Sequence, residues 1–475
     1  MDRRAEINAL CEDLLRLSTC LVERTKEWNN YVEIITVLEK IKRLQKMKTE
    51  SSKRSQGIGQ FMNWLKENSA DIEGASIAEF PGYDLGLKAE HDFQENELIL
   101  KIPRHLIFNT LNAAPELTAL KNDPLIHDMP QVALAIALLI ERYKENSKWK
   151  PYLDVLPTTY TTVMYMTAAD MIELKGSPTL VPALKQCRNI ARQYAYFSKI
   201  FQTDNNAVSA VLRDVFTYER YCWAVSTVMT RQNLIPSEDG SRMIHALIPM
   251  WDMCNHENGP ITTDFNLSSN CCECYALRDF KKGDQIFISY GPRPNSDFFL
   301  HSGFVYMDHK HDTLKFWVGS FLESNLDPHL AERRQLLKKL HLQPWSEFVV
   351  NSGREPIPGS VLAYMRVFRM RKPELTHWMS SERVDQLKQI DCVLDNRTEL
   401  KIKRTVLYDT LRTLMLRYPT TLEEDLELLE TTLPKSKKLA VQLRVTEKRL
   451  IVNAIEYVRR QSSLTNLTNG HDLKI

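Results

Sequence analysis

Trp251-Asp252-Met253-Cys254-Asn255-His256 sets an indole, a carboxylate, a thioether, a thiol, an amide and an imidazole side by side. The run follows the apolar stretch ALIP and leads into Asn-Gly-Pro, a turn signal. Metal binding is one reading. Cys254, His256, Cys271, Cys272 and Cys274 are ligand types that suit zinc. Their C-x-H and C-x-C spacings depart from the wider knuckles of structural zinc sites, so no metal is expected. A second reading is packing, with Trp251 and Met253 in a core and Asn255 and His256 capping a turn. A third reading needs a partner segment. QIFISYG, residues 285–291, has a strand pattern and delivers Tyr290 to a glycine turn.

The elements that must position these groups follow a simple order. Residues 5–48 are helical in pattern and end in the basic stretch IKRLQKMKTESSKR, which reads as a solvated arm and linker. From about 58 to 110 the pattern is mixed: FMNWLKENSA suits a short amphipathic helix and ELILKIPRHLIF alternates as a strand. From 118 to 235 it is mostly helical, with QVALAIALLIERYKE presenting a face to bury. VPALKQCRNIARQYAYFSKIF and TYERYCWAVSTVMTRQN repeat that pattern. Short β-like runs return between 243 and 292 as MIHALIPMW, ECYALRD and QIFISYG. From about 320 the chain is helical again, through SVLAYMRVFRM, KRTVLYDTLRTLMLRY and LAVQLRVTEKRLIVNAIEYVRR. There is no repeat of solenoid period. This order predicts an α+β fold, a β domain interrupted by a helical insertion and followed by an all-α domain. The expected boundaries are 1–57 for the arm, 58–310 for the β domain with its insert at about 118–235, and 320–475 for the helical domain.

Composition excludes several classes. The 475 residues carry 62 Lys and Arg against 60 Asp and Glu, a net charge of +2, which offers no field for a nucleic acid. An apolar fraction of 43% with 26% charged residues is that of an ordinary globular protein. No uncharged run approaches the roughly 18 apolar residues of a membrane span. The start, MDRRAEINAL, is charged and lacks the apolar segment of a secretory signal. Nine cysteines, an odd count without such a signal, read as reduced thiols. A cytoplasmic monomer is expected, with the nucleus as second compartment and no membrane partner.

WDMCNH together with RDFKKGDQIFISYG resembles the paired C-terminal motifs of SET-domain methyltransferases. SKWKPYLDVLP resembles the W-x-P-Y-x-x-x-L-P signature of the RuBisCO large-subunit methyltransferase class. TTLEEDLELL with LAVQLRVTEKRLI resembles that class's helical substrate-binding domain. ARQYAYF, TYERYCWAVSTVMTRQNLIPSEDGSR, LIPMWDMCNHENGPITT and the arm segment EWNNYVEIITVLEKIKR are similar to the actin-histidine methyltransferase branch. The resemblance spans nearly the whole chain. It implies a SET-domain fold in which the Asn-His pair and the Tyr-Gly strand end meet through chain threading, an exception to the usual topology. It also implies transfer of a methyl group from S-adenosyl-L-methionine to the tele ring nitrogen of a histidine in actin. A lysine methyltransferase of the same fold and a non-catalytic actin- or protein-binding module are the alternatives.

The resemblance carries residue roles with it. Tyr290 would orient nucleophile and methyl. Asp252, Met253, Cys254, Asn255 and His256 would line the cofactor, joined by Arg54, Glu97, Leu98, Ile99, Arg231, Ser302, Gly303 and Phe304. Trp251, Gln232, Arg192 and Arg293 would contact the substrate. Asn233 follows from chemistry as well. An imidazole attacks only through a nitrogen with a lone pair, so the other nitrogen must hold the proton, and an amide oxygen can accept that N–H. In lysine-modifying relatives an aromatic is expected at that place. The plain alternatives are a core Trp251, a strand-end Tyr290 and a solvated Arg54 in a charged linker. Three positions depart from the family pattern. Asp84 stands where the G-x-G-L turn has its first glycine, Ile99 replaces an aromatic and Phe265 replaces a tyrosine. Glycine suits a left-handed backbone, which Asp tolerates better than most residues. The turn is therefore expected to hold, with cofactor affinity the property at risk.

Overall fold

PQVALAIALLIERY is apolar on nearly every side, and only a helix surrounded by protein satisfies that pattern. In the computed structural model it forms a helix, Pro130–Tyr143, whose residues from Val132 to Glu141 are all buried. The proline at its start needs no N–H partner there. Glu141, the one charged group inside, accepts from the Ala114 N–H at 2.7 Å and from Ser147 Oγ at 2.6 Å, and pairs with Lys144 at 2.6 Å. The structure describes residues 3–45, 54–317, 327–343, 347–389 and 407–463, with single positions 392, 394 and 402. The chain divides into two units, one of residues 1–168, 181–291 and 300–303, the other of 169–180, 292–299 and 304–475.

In the first unit α1 (Arg3–Thr19) and α2 (Glu27–Gln45) form an antiparallel helical hairpin. α3 (Arg54–Glu67) follows, then α4 (Pro130–Tyr143), α5 (Leu180–Thr203) and α6 (Tyr218–Arg231). The arm differs from the solvated reading. Tyr31, Ile34, Leu38 and Ile41 form a buried stripe at helical spacing. Glu27 pairs with Arg188 of α5 at 2.7 Å, and Gln45 donates to Tyr194 OH at 2.7 Å. High charge density on the outer face hid a narrow apolar seam. Most of the basic stretch after it, residues 46–53, lies outside the described residues.

The described strands of the first unit come in three groups. β1 (Ala75–Phe80), β2 (Asp84–Ala89), β9 (Gln285–Ile288) and β6 (Asn255–His256) form one sheet in that order. β3 (Leu98–Pro103), β8 (Cys271–Tyr275) and β7 (Thr263–Asn266) form a second. β4 (Gln232–Pro236) and β5 (Met243–Leu247) form a two-stranded ribbon. Pairing is antiparallel except between β6 and β9, which run parallel.

Among its described residues the second unit is helical apart from one ribbon of β10 (Thr313–Trp317) and β11 (Glu347–Asn351). Its helices include α7 (Leu330–Lys339), α8 (Gly359–Arg369), α9 (Tyr408–Met415), α10 (Leu422–Leu429) and α11 (Lys435–Ser463). Five-residue strands between long helical patterns carry too little period to be read alone. Leu336, Met365, Leu411 and Ile451 lie in one apolar core with Phe316 and Phe348. The segment Ala169–Leu180, inside the stretch read as the helical insert, groups with this unit. No described helix is long and apolar enough to cross a membrane.

Buried polar groups on α11 tie that segment down. Asp425 accepts from Arg444 at 2.5 Å and Lys448 at 2.6 Å, and Arg444 also reaches Glu173 at 2.6 Å. Burial alone would raise the Asp425 carboxyl, but those two hydrogen bonds hold it below its usual range. Glu447 accepts from Ser177 Oγ at 2.8 Å, Thr179 Oγ1 at 3.0 Å and Tyr418 OH at 2.9 Å. Burial pushes its carboxyl up to about 7. An unfolded chain releases that proton near 4.5, so stability is lost as pH rises through the folded value. Glu447→Gln keeps an acceptor and removes the titration. Between pH 5 and 8 the wild type should lose on the order of 1–3 kcal/mol more than the variant in denaturant unfolding. Parallel pH dependences would show that Glu447 does not titrate in this range.

Candidate active site

β5 leads into a strained corner. Met250, fully buried, adopts φ 71 and ψ −55, and the Trp251 N–H donates to the Pro249 carbonyl at 2.9 Å. That is the rare γ-turn, a conformation uncommon outside glycine and often found at functional sites. It swings the chain through the 3₁₀ turn Trp251–Met253 into β6. β6 then pairs in parallel with β9, Asn255 opposite Phe287 and His256 opposite Ile288.

That register brings the two quoted motifs together. The Tyr290 N–H donates to His256 Nδ1 at 3.1 Å, so the neutral ring carries its proton on Nε2. The rings lie 5.1 Å apart. The Tyr290 hydroxyl donates to the Cys254 carbonyl at 2.6 Å. Its proton is thereby engaged, and a phenol oxygen that donates in this way can still accept. Trp251 beside them is 5% exposed.

A charged layer lies behind this pair. Arg231, at the end of α6, donates to the Asp252 carbonyl and lies 3.4 Å from Asp252 Oδ1. Tyr152 OH donates to the other oxygen of that carboxylate. Burial pushes the Asp252 carboxyl above its usual range, opposed by Arg231 and Tyr152. Burial would release the Arg231 proton, but Asp252 holds the guanidinium more firmly charged than usual. Arg54, on α3, donates to the Val155 carbonyl at 2.9 Å and to Asp84 Oδ2 at 2.7 Å. Arg54 and Arg231 each reach Met253 Sδ at 3.9 Å. Burial and the charge of Arg231 lower the Arg54 pKa. Arg231 Nε is buried with no hydrogen-bond partner among the described residues. Two guanidiniums converging on one small region suit an anionic group such as a carboxylate.

Asp84 occupies φ 65, the left-handed conformation that the expected glycine would supply, so the turn holds. The second glycine is needed for space. A Cβ on Gly86 would meet Gln285 Nε2 at 2.5 Å and Asn255 Nδ2 at 3.0 Å.

The β4–β5 ribbon presents Gln232 and Asn233. Asn233 Nδ2 donates to the Arg231 carbonyl at 3.2 Å, which leaves Oδ1 as the open acceptor. Gln232 Oε1 lies 2.9 Å from His245 Nδ1. Leu98 and Ile99 sit at a register shift in β3, where the strand re-aims its side chains, and the Glu97 carbonyl accepts from Ala276. Ser302 and Gly303 belong to the first unit. The Thr161 hydroxyl donates to the Gly303 carbonyl at 2.5 Å, and Gly303 stands at φ 73. Arg192 is exposed on α5 and bonds Asn189 of its own helix at 3.5 Å. Arg293 and Phe304 fall in the second unit. Cys271, Cys272 and Cys274 are buried free thiols on β8, and no three His, Cys, Asp or Glu among the described residues are placed to share a metal. Tyr152 and His245 were missed by sequence reasoning. Tyr152 lies within SKWKPYLDVLP, which served there only as a family signature; nothing singled out His245.

Comparison with known proteins gives the same outline. The SET domain family matches residues 84–291, and the Rubisco LSMT substrate-binding family matches residues 324–451. The actin-histidine N-methyltransferase of Homo sapiens is 38% identical over 473 residues, covering 96% of this chain and 79% of its own. That of Mus musculus is 38% identical over 461 residues, covering 95% and 77%. Among solved structures, the SET domain of LSMT bound to lysine and AdoHcy superposes with a TM-score of 0.68 at 19% identity, covering 87% of this chain and 93% of its own. Rubisco LSMT bound to AdoMet gives 0.67 at 20%, covering 86% and 93%. At those identities the likeness is one of fold.

Tyr152→Phe should destabilise the protein by about 1–3 kcal/mol, because the buried Asp252 oxygen loses its donor. Without that hydroxyl the Asp252 pKa rises further, so the loss should be larger at pH 8 than at pH 5. Urea unfolding at both pH values checks this. An equal loss at both would show that the hydroxyl does not act on the Asp252 charge.

Proposed function

The chain belongs to the actin-histidine N-methyltransferase family of SET-domain proteins, and on that premise we propose that it methylates the tele ring nitrogen of a histidine in actin. S-adenosyl-L-methionine, when bound, supplies the methyl as a substituent of a sulfonium. The observation that carries the histidine reading is the Asn233 amide, whose nitrogen is engaged by the Arg231 carbonyl and whose oxygen is left to accept a ring N–H. With that N–H held, the opposite ring nitrogen keeps its lone pair toward the methyl. The N–C bond forms, the S–C bond breaks with its electron pair on sulfur, and the ring N–H proton then leaves to solvent.

The other residues have parts that suit this transfer. Tyr290 engages its proton with Cys254 and turns lone pairs toward the polarised methyl. Arg54 and Arg231 suit the cofactor carboxylate, and the backbone from Asp252 to His256 its remaining polar groups. Trp251 is a flat wall for an imidazole. A lysine amine has one nitrogen and no tautomer for the Asn233 oxygen to fix. The same reading makes the protein a cytoplasmic monomer, with the nucleus as second compartment. Buried thiols such as Cys187, Cys222 and Cys254 suit a reducing compartment.

The direct test is incubation with actin and S-adenosylmethionine, followed by peptide mass spectrometry. A methyl on a histidine peptide is expected, and a methyl found only on lysine would overturn the reading. Activity should fall as pH drops through the acceptor imidazole's pKa, about 6.5 if unperturbed, because the protonated ring has no lone pair.

Tyr290→Phe should reduce kcat by about 10²–10³ while leaving cofactor affinity nearly unchanged, since one oriented oxygen is lost at the reacting centre. A variant turning over within about twofold of wild type would remove Tyr290 from the mechanism.

Asn233→Phe should lose histidine methylation by roughly ten- to a hundredfold, because a buried ring N–H without an acceptor costs about 1–3 kcal/mol. It should also favour a peptide with Lys in place of the target His. Competition between the two peptides, read by mass spectrometry, checks both, and an unchanged preference for His would sink the role given to Asn233.

A further inference from the structure

Arg104 is a buried charge with an unusual set of partners. It opens the one-turn helix Arg104–Leu106 after β3 and is 8% exposed. A guanidinium keeps its charge inside a protein, and buried charges normally face a carboxylate. Arg104 has none within ion-pair distance among the described residues. Nε donates instead to Asn270 Oδ1 at 2.6 Å and Nη1 to the Pro236 carbonyl at 2.8 Å. The Arg104 N–H donates to the Asn270 carbonyl at 3.1 Å, and the guanidinium lies over the Phe265 ring at 4.2 Å. Nη2 is buried with no partner among the described residues.

These partners belong to separate elements. Asn270 sits at φ 52 in the turn between β7 and β8, Phe265 lies on β7, and Pro236 ends β4. Arg104 therefore ties the β3-β8-β7 sheet to the free end of the β4–β5 ribbon. The ribbon's other edge is held by β5, where Phe108 and Leu247 exchange backbone hydrogen bonds at 2.9 and 2.8 Å. β4 runs directly on from α6, pairs along its length with β5 and packs beside β7, and Arg104 adds a charged hydrogen bond at its far end. Asn233 is three residues from Pro236 on this strand, about 10 Å at 3.3 Å per residue.

We propose that Arg104 is a positioning residue that fixes the β4 strand, and with it the Asn233 amide, against the site, so that it governs selectivity for a ring acceptor over an amine. This rests on the role given to Asn233 above. A planar fork suits the task because one group spans two oxygens and a ring face in fixed geometry, which a lysine cannot do. A displacement of about 1 Å at a positioning group can reduce a rate by about 10².

The test compares wild type, Arg104→Lys, Arg104→Met and Asn233→Phe. Arg104→Lys keeps the charge and loses the fork. It should bind S-adenosylhomocysteine within about twofold of wild type by calorimetry. Its kcat on the histidine peptide should fall roughly ten- to a hundredfold with KM changed less than about threefold. Its His-to-Lys preference should fall with kcat, which a loss of stability alone would not produce. Arg104→Met should go further in the same direction, and if it does not fold, Arg104→Lys carries the result. An Arg104→Lys enzyme with unchanged kcat and preference overturns the proposal while leaving Asn233 intact. If Asn233→Phe itself keeps the histidine preference, the reading of Asn233 fails and the proposal fails with it.

Discussion

The site depends on one short piece of parallel pairing. β6 is only Asn255–His256, yet its alignment with β9 sets Tyr290 beside both His256 and the Cys254 carbonyl. Parallel neighbours normally require a long crossover, so two residues in this register constrain the intervening chain strongly. The strained backbone at Met250 sits one residue before the turn that feeds β6. Strain at such a point persists only where the surroundings over-determine it. Here the buried Trp251 and Met253 and the pairing to β9 do so.

Desolvation is the second organising constraint. Charges taken out of water need partners with good geometry, and leaving one unpaired costs more than the pair gains. The first unit answers this with Arg231, Asp252 and Tyr152 in one layer, and with Arg104 among carbonyl, amide and ring. The second answers it with Asp425, Arg444 and Lys448 on and beside α11. Tyr152 to Asp252, Arg104 to Pro236 and Arg444 to Glu173 link segments far apart in the chain. Apolar packing tolerates sliding and substitution of similar volume, whereas a buried hydrogen-bonded charge accepts few arrangements. The charges therefore serve as registration points for elements that hydrophobic burial brings together loosely.

The organisation of the chain was legible in several ways. The apolar pattern of residues 130–143 and the alternation in ELILKIP follow from periodicity alone. The α+β architecture follows from their order along the chain. Other features were hidden for definite reasons. The apolar seam on α2 is narrow and flanked by charge, so composition masked it. β10 and β11 are short and surrounded by helical patterns. The residues of Ala169–Leu180 carry no signal of the unit they join, because Ser177, Thr179 and Glu173 find their partners on α11, more than 250 positions along the chain.

At the site the division is similar. Sequence alone determined the chemical inventory: the WDMCNH run, the Tyr-Gly strand end, the amide at Asn233 and an Asp at a turn that prefers glycine. Each is a property of residue type and spacing, and the resemblance built on them is local to those motifs. Only the tertiary structure decided how the groups are used. It gave the Tyr290 proton to the Cys254 carbonyl and the Asn233 nitrogen to the Arg231 carbonyl, which leaves the Asn233 oxygen as an acceptor. It set Tyr152 against Asp252, Arg54 against Asp84, and Arg104 between two sheets. Hydrogen-bond direction and the pairing of buried charge depend on angles and distances of a fraction of an ångström between distant residues, and no one-dimensional pattern encodes them.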